Sequence, residues 1–302
     1  MISRAKEQLV PWEHHNGSST LRGWMTPGCG FNDKPVIHFL HGTGLSNLTY
    51  WPFLQHFLPE YDLFLNSVEG HGDSDYSARE QFNDWNMLTD RSLAALEALS
   101  VDWPSPPTIA LAHSFGAVST TLMLHAQVRP FDQYILLDPV IYPKSMIGLM
   151  RLLSLLGLNR RLPHVKQAKG RRSQWPNREV LRQNLQGRGV FKRWTNEALD
   201  SYIDHAAAPD DSGEWQLRCP TWLEARIFAG CPKGLWSAIA KLPVNTHILH
   251  STHTYAFVPP AVRRAEKANP HIRLTQVEGG HCFMQESPEA TYQLVRRLMM
   301  TF

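Results

Sequence analysis

The chain has 302 residues, 43% of them apolar and only 19% charged, below the roughly 25% charged usual in soluble domains. This composition fits a compact globule with a sizeable core and excludes a disordered or solvating chain. The 30 basic and 27 acidic side chains leave a formal charge of +3, too balanced for a nucleic-acid binder, which needs a concentrated basic face.

The first residues, Met1-Ile2-Ser3-Arg4-Ala5-Lys6-Glu7, lack the apolar run of a signal peptide. Segments near 8–13 and 20–25 flank Asn16-Gly17, a strong turn pair, and predict an antiparallel hairpin. From Val36 onward short apolar runs alternate with longer helical patterns, the signature of βαβ units and a parallel sheet. Val36-Ile37-His38-Phe39-Leu40 reads as a buried strand ending in the turn His41-Gly42-Thr43-Gly44. Leu63-Phe64-Leu65 reads as the next, ending near Glu69-Gly70-His71-Gly72. A third strand, Thr108 to Ala112, enters a turn at His113-Ser114 before a helical run from Ala117 to Gln127. A fourth, Tyr134 to Leu137, is stopped by Asp138-Pro139.

From about Tyr142 to Leu242 the texture becomes helical and rich in Arg, Trp and Gln, with Asp210-Asp211-Ser212-Gly213 as an internal loop and no convincing buried strand. Residues 145–158 are its most apolar part, but too short to span a bilayer, which takes about 20 apolar residues. They read as an amphipathic helix covering something apolar, with membrane-surface contact as the alternative. Strand patterns return at His247 to His250 and Ile272 to Val277, and a closing helix begins at Ser287-Pro288, with Ser as N-cap. The expected organisation is a core of residues 1–141 and 243–302 interrupted by a helical lid, 142–242, too long to be a structureless loop.

Three stretches carry chemistry. Ala112-His113-Ser114-Phe115-Gly116, between strand and helix, has the small-x-Ser-x-Gly pattern of a nucleophile elbow. A helix N-cap serine is the plainer reading of the same residues. Acyl transfer needs two preorganised N–H donors for the developing oxyanion, and the backbone amides of Thr43 and Phe115 are suitably placed. Glu278-Gly279-Gly280-His281 puts a histidine on a glycine turn after the last strand, where it can act as general base and then acid.

In this order, the motifs resemble the α/β-hydrolase fold, a mostly parallel sheet with helices on both faces, here with an inserted helical cap. The resemblance covers essentially all the chain outside the insertion, though the family usually has Asp where Ser67 stands. It implies a serine esterase or lipase-like hydrolase with Ser114 as nucleophile and His281 as base. In the family the acid usually follows the strand represented by His247 to His250, yet Ser251-Thr252-His253-Thr254-Tyr255 contains no carboxylate. Some members place it one strand earlier, which implies Asp138, with a strand-end cap as that residue's structural alternative. Glu278, Asp210, Asp211 and Glu224 are the other carboxylates considered.

The expected activity is cleavage of a carboxylic ester of a small to medium lipophilic molecule through an acyl-enzyme, without a cofactor. C–C bond hydrolysis and cofactor-free perhydrolysis use the same triad, and a non-catalytic binding protein is the alternative of another class. The expected partner is a small-molecule ester, with neither nucleic acid nor stable membrane insertion. The four cysteines, at 29, 219, 231 and 282, lack zinc-knuckle or redox spacing and suit a reduced, cytoplasmic setting. His247, His250 and His253 alternate faces of a strand and so converge poorly on a metal. His113 reads as a packing residue, Cys282 as buried or reactive. Trp175, Trp194, Trp215, Trp222 and Trp236 read as pocket lining or as anchors of the insertion.

Overall fold

The computed structural model describes residues 5–17, 19–81, 84–126, 130–243 and 245–300. Met1 to Arg4 and Gln127, the expected end of the elbow helix, lie outside the described residues. The strands are β1 (Val10–Asn16), β2 (Ser19–Met25), β3 (Val36–Leu40), β4 (Asp62–Asn66), β5 (Thr108–His113) and β6 (Gln133–Leu137), then three short ones, β7 (Gln174–Trp175), β8 (Ala207–Pro209) and β9 (Trp215–Leu217), and finally β10 (Thr246–His253) and β11 (Ile272–Gly280). Eight of them form one sheet in the order β1-β2-β4-β3-β5-β6-β10-β11. β1 and β2 form the expected antiparallel hairpin, and β2 pairs antiparallel with β4; the remaining pairs are parallel.

The side-chain alternation of the central strands explains why both faces must be covered. Val36 and Leu40 of β3, Ala110 and Ala112 of β5, and Tyr134 and Leu136 of β6 enter one core. Ile37 and Phe39, Ile109 and Leu111, and Ile135 and Leu137 enter the other. Helices Trp85–Ser100, Phe115–Leu122, Leu235–Ile239 and Val258–Ala268 supply the first core, and Trp51–Leu54, Asn196–Ala206 and Pro288–Met299 the second. Pro288 opens the last helix as expected, but the Ser287 side chain makes no capping bond. There Glu286 turns back instead, accepting from the Gly280 amide at 3.1 Å.

Between β6 and β10 the chain is mainly helical, but β7, β9 and β8 form a small antiparallel sheet that the sequence did not announce. Strands of two or three residues are too short to show alternation. Asp210 organises the β8–β9 turn, its Oδ1 accepting from the Ser212 and Glu214 amides. Among the described residues no helix is long and apolar enough to cross a membrane.

His38 on β3 gives the fold a pH dependence. Its ring lies 5.2 Å from Phe131 and 5.7 Å from Phe64, and among the described residues neither ring nitrogen is hydrogen-bonded. Burial lowers its pKa from 6.5 to about 3. An unfolded imidazole takes up a proton below about pH 6.5, whereas the folded one does so only near 3. The stability from keeping it neutral is therefore complete above 6.5 and falls with pH by about 1.4 kcal/mol per unit. His41 and His71, likewise lowered to about 3 by burial, steepen the same limb. His38→Phe should flatten that limb by one proton's worth, read as urea unfolding free energies between about pH 6 and 4. An unchanged slope would contradict a neutral buried His38.

Candidate active site

β5 and β6 are parallel neighbours with His113 opposite Leu137, so the residues that follow them, Ser114 and Asp138, emerge side by side at one sheet edge. Both leave their strands with left-handed backbone, φ +57 at Ser114 and φ +41 at Asp138, a conformation unfavourable for non-glycine residues. The Ser114 amide is held by the Leu137 carbonyl at 2.9 Å, and the Asp138 amide by the Leu249 carbonyl at 2.6 Å. At Ser114 the chain turns at once into the helix Phe115–Leu122. The bend is feasible because residue 116 is glycine: a Cβ there would lie 2.3 Å from the Leu40 carbonyl and 2.5 Å from that of His41.

His281 follows β11 and reaches back across the edge. Its Nε2 lies 2.8 Å from Ser114 Oγ and its Nδ1 2.5 Å from Asp138 Oδ2. Since a carboxylate only accepts, Nδ1 carries the proton and Nε2 faces the serine hydroxyl as acceptor. Asp138 is fully buried, yet its lone pairs are met: Oδ1 accepts from the Ser251 amide at 2.9 Å, and Oδ2 also accepts from Thr254 Oγ1. The carboxylate-free stretch 251–255, where β10 runs three residues longer than expected before the chain turns at Thr254, thus supplies donors to Asp138 one strand away. Sequence reading missed Thr254, whose only signal was its place in that turn.

A second set of bonds fixes His281 from behind. His113 Nε2 donates to the His281 carbonyl at 3.0 Å, so its Nδ1 accepts from the Tyr50 hydroxyl at 2.6 Å. Tyr50 Oη in turn accepts from the Gly42 amide at 3.2 Å. Burial, aided by nearby His281, drives His113 well below its ordinary pKa, keeping the ring neutral as this pattern requires. One buried chain therefore links the Gly42 turn, the end of β5 and His281. Tyr50→Phe should leave the His113 nitrogen and the Gly42 amide unpaired, costing about 1–3 kcal/mol in thermal unfolding. An unchanged melting curve would show that the chain contributes nothing.

Thr43 and Phe115 both border the cavity over Ser114. Among the described residues neither amide is bonded to a protein acceptor, and a Cβ at neighbouring Gly42 would come within 3.2 Å of Ser114 Cβ. The Phe115 N–H also stands at the positive end of the helix Phe115–Leu122.

The cavity has a volume of about 660 Å³. Its wall near Ser114 is aromatic and apolar, with Trp85, Tyr142, Met146 and Phe257. Further lining comes from Trp175, Phe191 and a part-buried ion pair, Arg171 Nη1 to both Glu224 oxygens at 2.9 Å. Burial raises the Glu224 carboxyl while Arg171 opposes the shift. Glu224 abuts the Thr43 turn, where a Cβ on Gly44 would meet its Oε1 at 2.8 Å. Sequence reading weighed Glu224 as an acid and missed its partner. The other carboxylates lie elsewhere: Glu278 is exposed, 3.4 Å from His253, while Asp210 and Asp211 sit on the exposed β8–β9 turn. Of the five tryptophans, Trp175 lines the cavity; Trp222 packs on Tyr76, and Trp236 donates to the Tyr142 carbonyl. Burial pushes the Cys282 thiol far up, so it stays protonated.

A sequence model described as the alpha/beta hydrolase family matches residues 39–294. The chain belongs to the alpha/beta hydrolase family. Solved structures similar to this alpha/beta hydrolase include E-2-(acetamidomethylene)succinate hydrolase, with TM-score 0.75 and 17% identity, covering 96% of this chain and 99% of that one. A thioesterase domain from the curacin biosynthetic pathway has TM-score 0.70 and 15% identity over 95% and 99% of the two chains. A Mycobacterium tuberculosis esterase has TM-score 0.69 and 18% identity over 97% and 93%. None of the curated protein sequences matches it. At these identities the likeness establishes the shared fold, with its large mostly parallel sheet covered by helices on both faces.

Proposed function

We propose that this alpha/beta hydrolase is a serine hydrolase that cleaves a carboxylic ester of a small to medium lipophilic molecule. The observation that carries the reading is the unbroken hydrogen-bonded line Ser114–His281–Asp138, at 2.8 and 2.5 Å. His281 Nε2 takes the hydroxyl proton as Ser114 Oγ attacks the ester carbonyl carbon. Asp138 holds the ring and stabilises the imidazolium, and the Thr43 and Phe115 amides hold the oxyanion. The imidazolium then returns its proton to the departing alkoxide, leaving an acyl-serine. Water activated by the same histidine frees the acid and restores Ser114. Residues 142–242 act as the lid that shields this chemistry from bulk water. The esterase and thioesterase among the similar structures are consistent with acyl transfer, and the aromatic wall with a lipophilic acyl or alcohol group.

A panel of p-nitrophenyl acetate, butyrate, octanoate and palmitate tests the reading. Turnover should rise from acetate to the longer chains, which fill more of the aromatic and apolar wall. Folded protein that turned over none of these esters but cleaved a vinylogous diketone would replace ester with C–C hydrolysis.

A further inference from the structure

The helix Lys144–Leu155 buries only part of its apolar surface. Ile147 and Met150 are buried, and Met146 lines the cavity. Leu149, Leu152, Leu155 and Leu156 point the other way and are 56%, 54%, 86% and 61% exposed. At 100° per residue these four leucines fall within about 120° of arc, opposite the buried stripe. Gly148 belongs to the same arc, and a Cβ there would meet nothing within 4 Å. Four large apolar side chains contiguous on one open helix face exceed the scattered exposure normal for a surface.

The charge around this face has one sign. Lys144 and Arg151 lie on the helix, Arg160 and Arg161 follow it, and no Asp or Glu occurs from Pro139 to Arg178. Arg151 flanks the leucines on the helix itself, and Arg160 and Arg161 follow in the next turn, all exposed. Carboxylates packed nearby are already taken: Asp84 by Lys233 at 2.6 Å, and Glu224 by Arg171. An apolar stripe bordered by unneutralised cations is complementary to an anionic bilayer, whose acyl boundary takes the leucines and whose headgroups take the arginines. It is poorly complementary to a second copy of itself, because pairing two such faces would bring the cations together.

We propose that the outward face of the helix Lys144–Leu155, with Arg160 and Arg161, docks this protein peripherally on anionic lipid surfaces. The same helix borders the cavity through Met146, so docking would bring the bilayer to the edge of the pocket. Lipid binding here does not depend on which bond the pocket cleaves.

Flotation with phosphatidylcholine vesicles, with and without about one-third phosphatidylglycerol, tests the proposal. Wild type should float with the anionic vesicles and only weakly with the neutral ones. Binding should weaken near 1 M salt, where the Debye length shrinks to about 3 Å. Arg160→Ala/Arg161→Ala should lower partitioning about 25-fold, at about five-fold per basic residue. Leu149→Gln/Leu152→Gln/Leu155→Gln/Leu156→Gln should lower it at least ~100-fold while soluble-ester turnover stays unchanged. Should the quadruple variant misfold, Leu155→Glu alone, at the most exposed of the four positions, must still reduce binding. Folded wild type that ignored both vesicles, or a leucine variant that floated as well as wild type, would overturn the proposal. So would equal binding to neutral and anionic vesicles, or a wild-type dimer without lipid affinity that the leucine variant makes monomeric.

Discussion

Ser114→Ala should reduce ester kcat by about 10⁴–10⁶, with the melting temperature unchanged or higher. The size follows from the proposed mechanism, in which Ser114 Oγ forms the acyl bond and its loss would leave the Thr43 and Phe115 amides and the cavity to act on a water-driven reaction. The stability expectation follows from the backbone. Residue 114 holds φ +57 whether serine or alanine, so that strain remains, and His281 borders the cavity, where water can replace the lost hydroxyl as the partner of Nε2. A variant that retained more than about a tenth of wild-type kcat would place the nucleophile elsewhere.

Asp138→Asn should lower kcat by about 10⁴ with little change in KM. The asparagine amide would offer an N–H where Asp138 Oδ2 now accepts from both His281 and Thr254. His281 would then be driven to the tautomer with its proton on Nε2, facing Ser114 with a donor instead of an acceptor. A loss confined to thermal stability, with kcat intact, would reduce Asp138 to a strand-end cap. Glu224→Gln is the informative contrast: it keeps the shape beside Gly44 but loses the Arg171 charge, so it should alter KM more than kcat.

Strands β3 to β6 were legible because each is buried on both faces and reads as a short, mainly apolar run, interrupted in β3 by His38, and closed by glycine, proline or a polar turn. The elbow was legible for a steric reason, since Gly116 packs against the β3 carbonyls. Asp138 could be singled out only by resemblance. Nothing in its local sequence separates an acid at the sheet edge from a turn-initiating Asp-Pro, and the donors that mark it, Ser251 and Thr254, lie more than a hundred residues away. Sequence separations of 63 and 168 residues hid the Tyr50–His113–His281 chain, and one of 53 hid the Arg171–Glu224 pair. Residues 145–158 were legible as amphipathic. Their exposed leucines were not, since periodicity finds a stripe without saying what covers it.

Covalent labelling with a fluorophosphonate, followed by intact-mass and peptide mapping, decides whether Ser114 is the nucleophile, because the reagent traps a serine only where a base and an oxyanion site activate it. A single adduct on the peptide containing Ser114 is predicted, absent from Ser114→Ala and formed far more slowly in Asp138→Asn. Folded, ester-hydrolysing protein that stays unlabelled, or that carries the adduct on another residue, would contradict it.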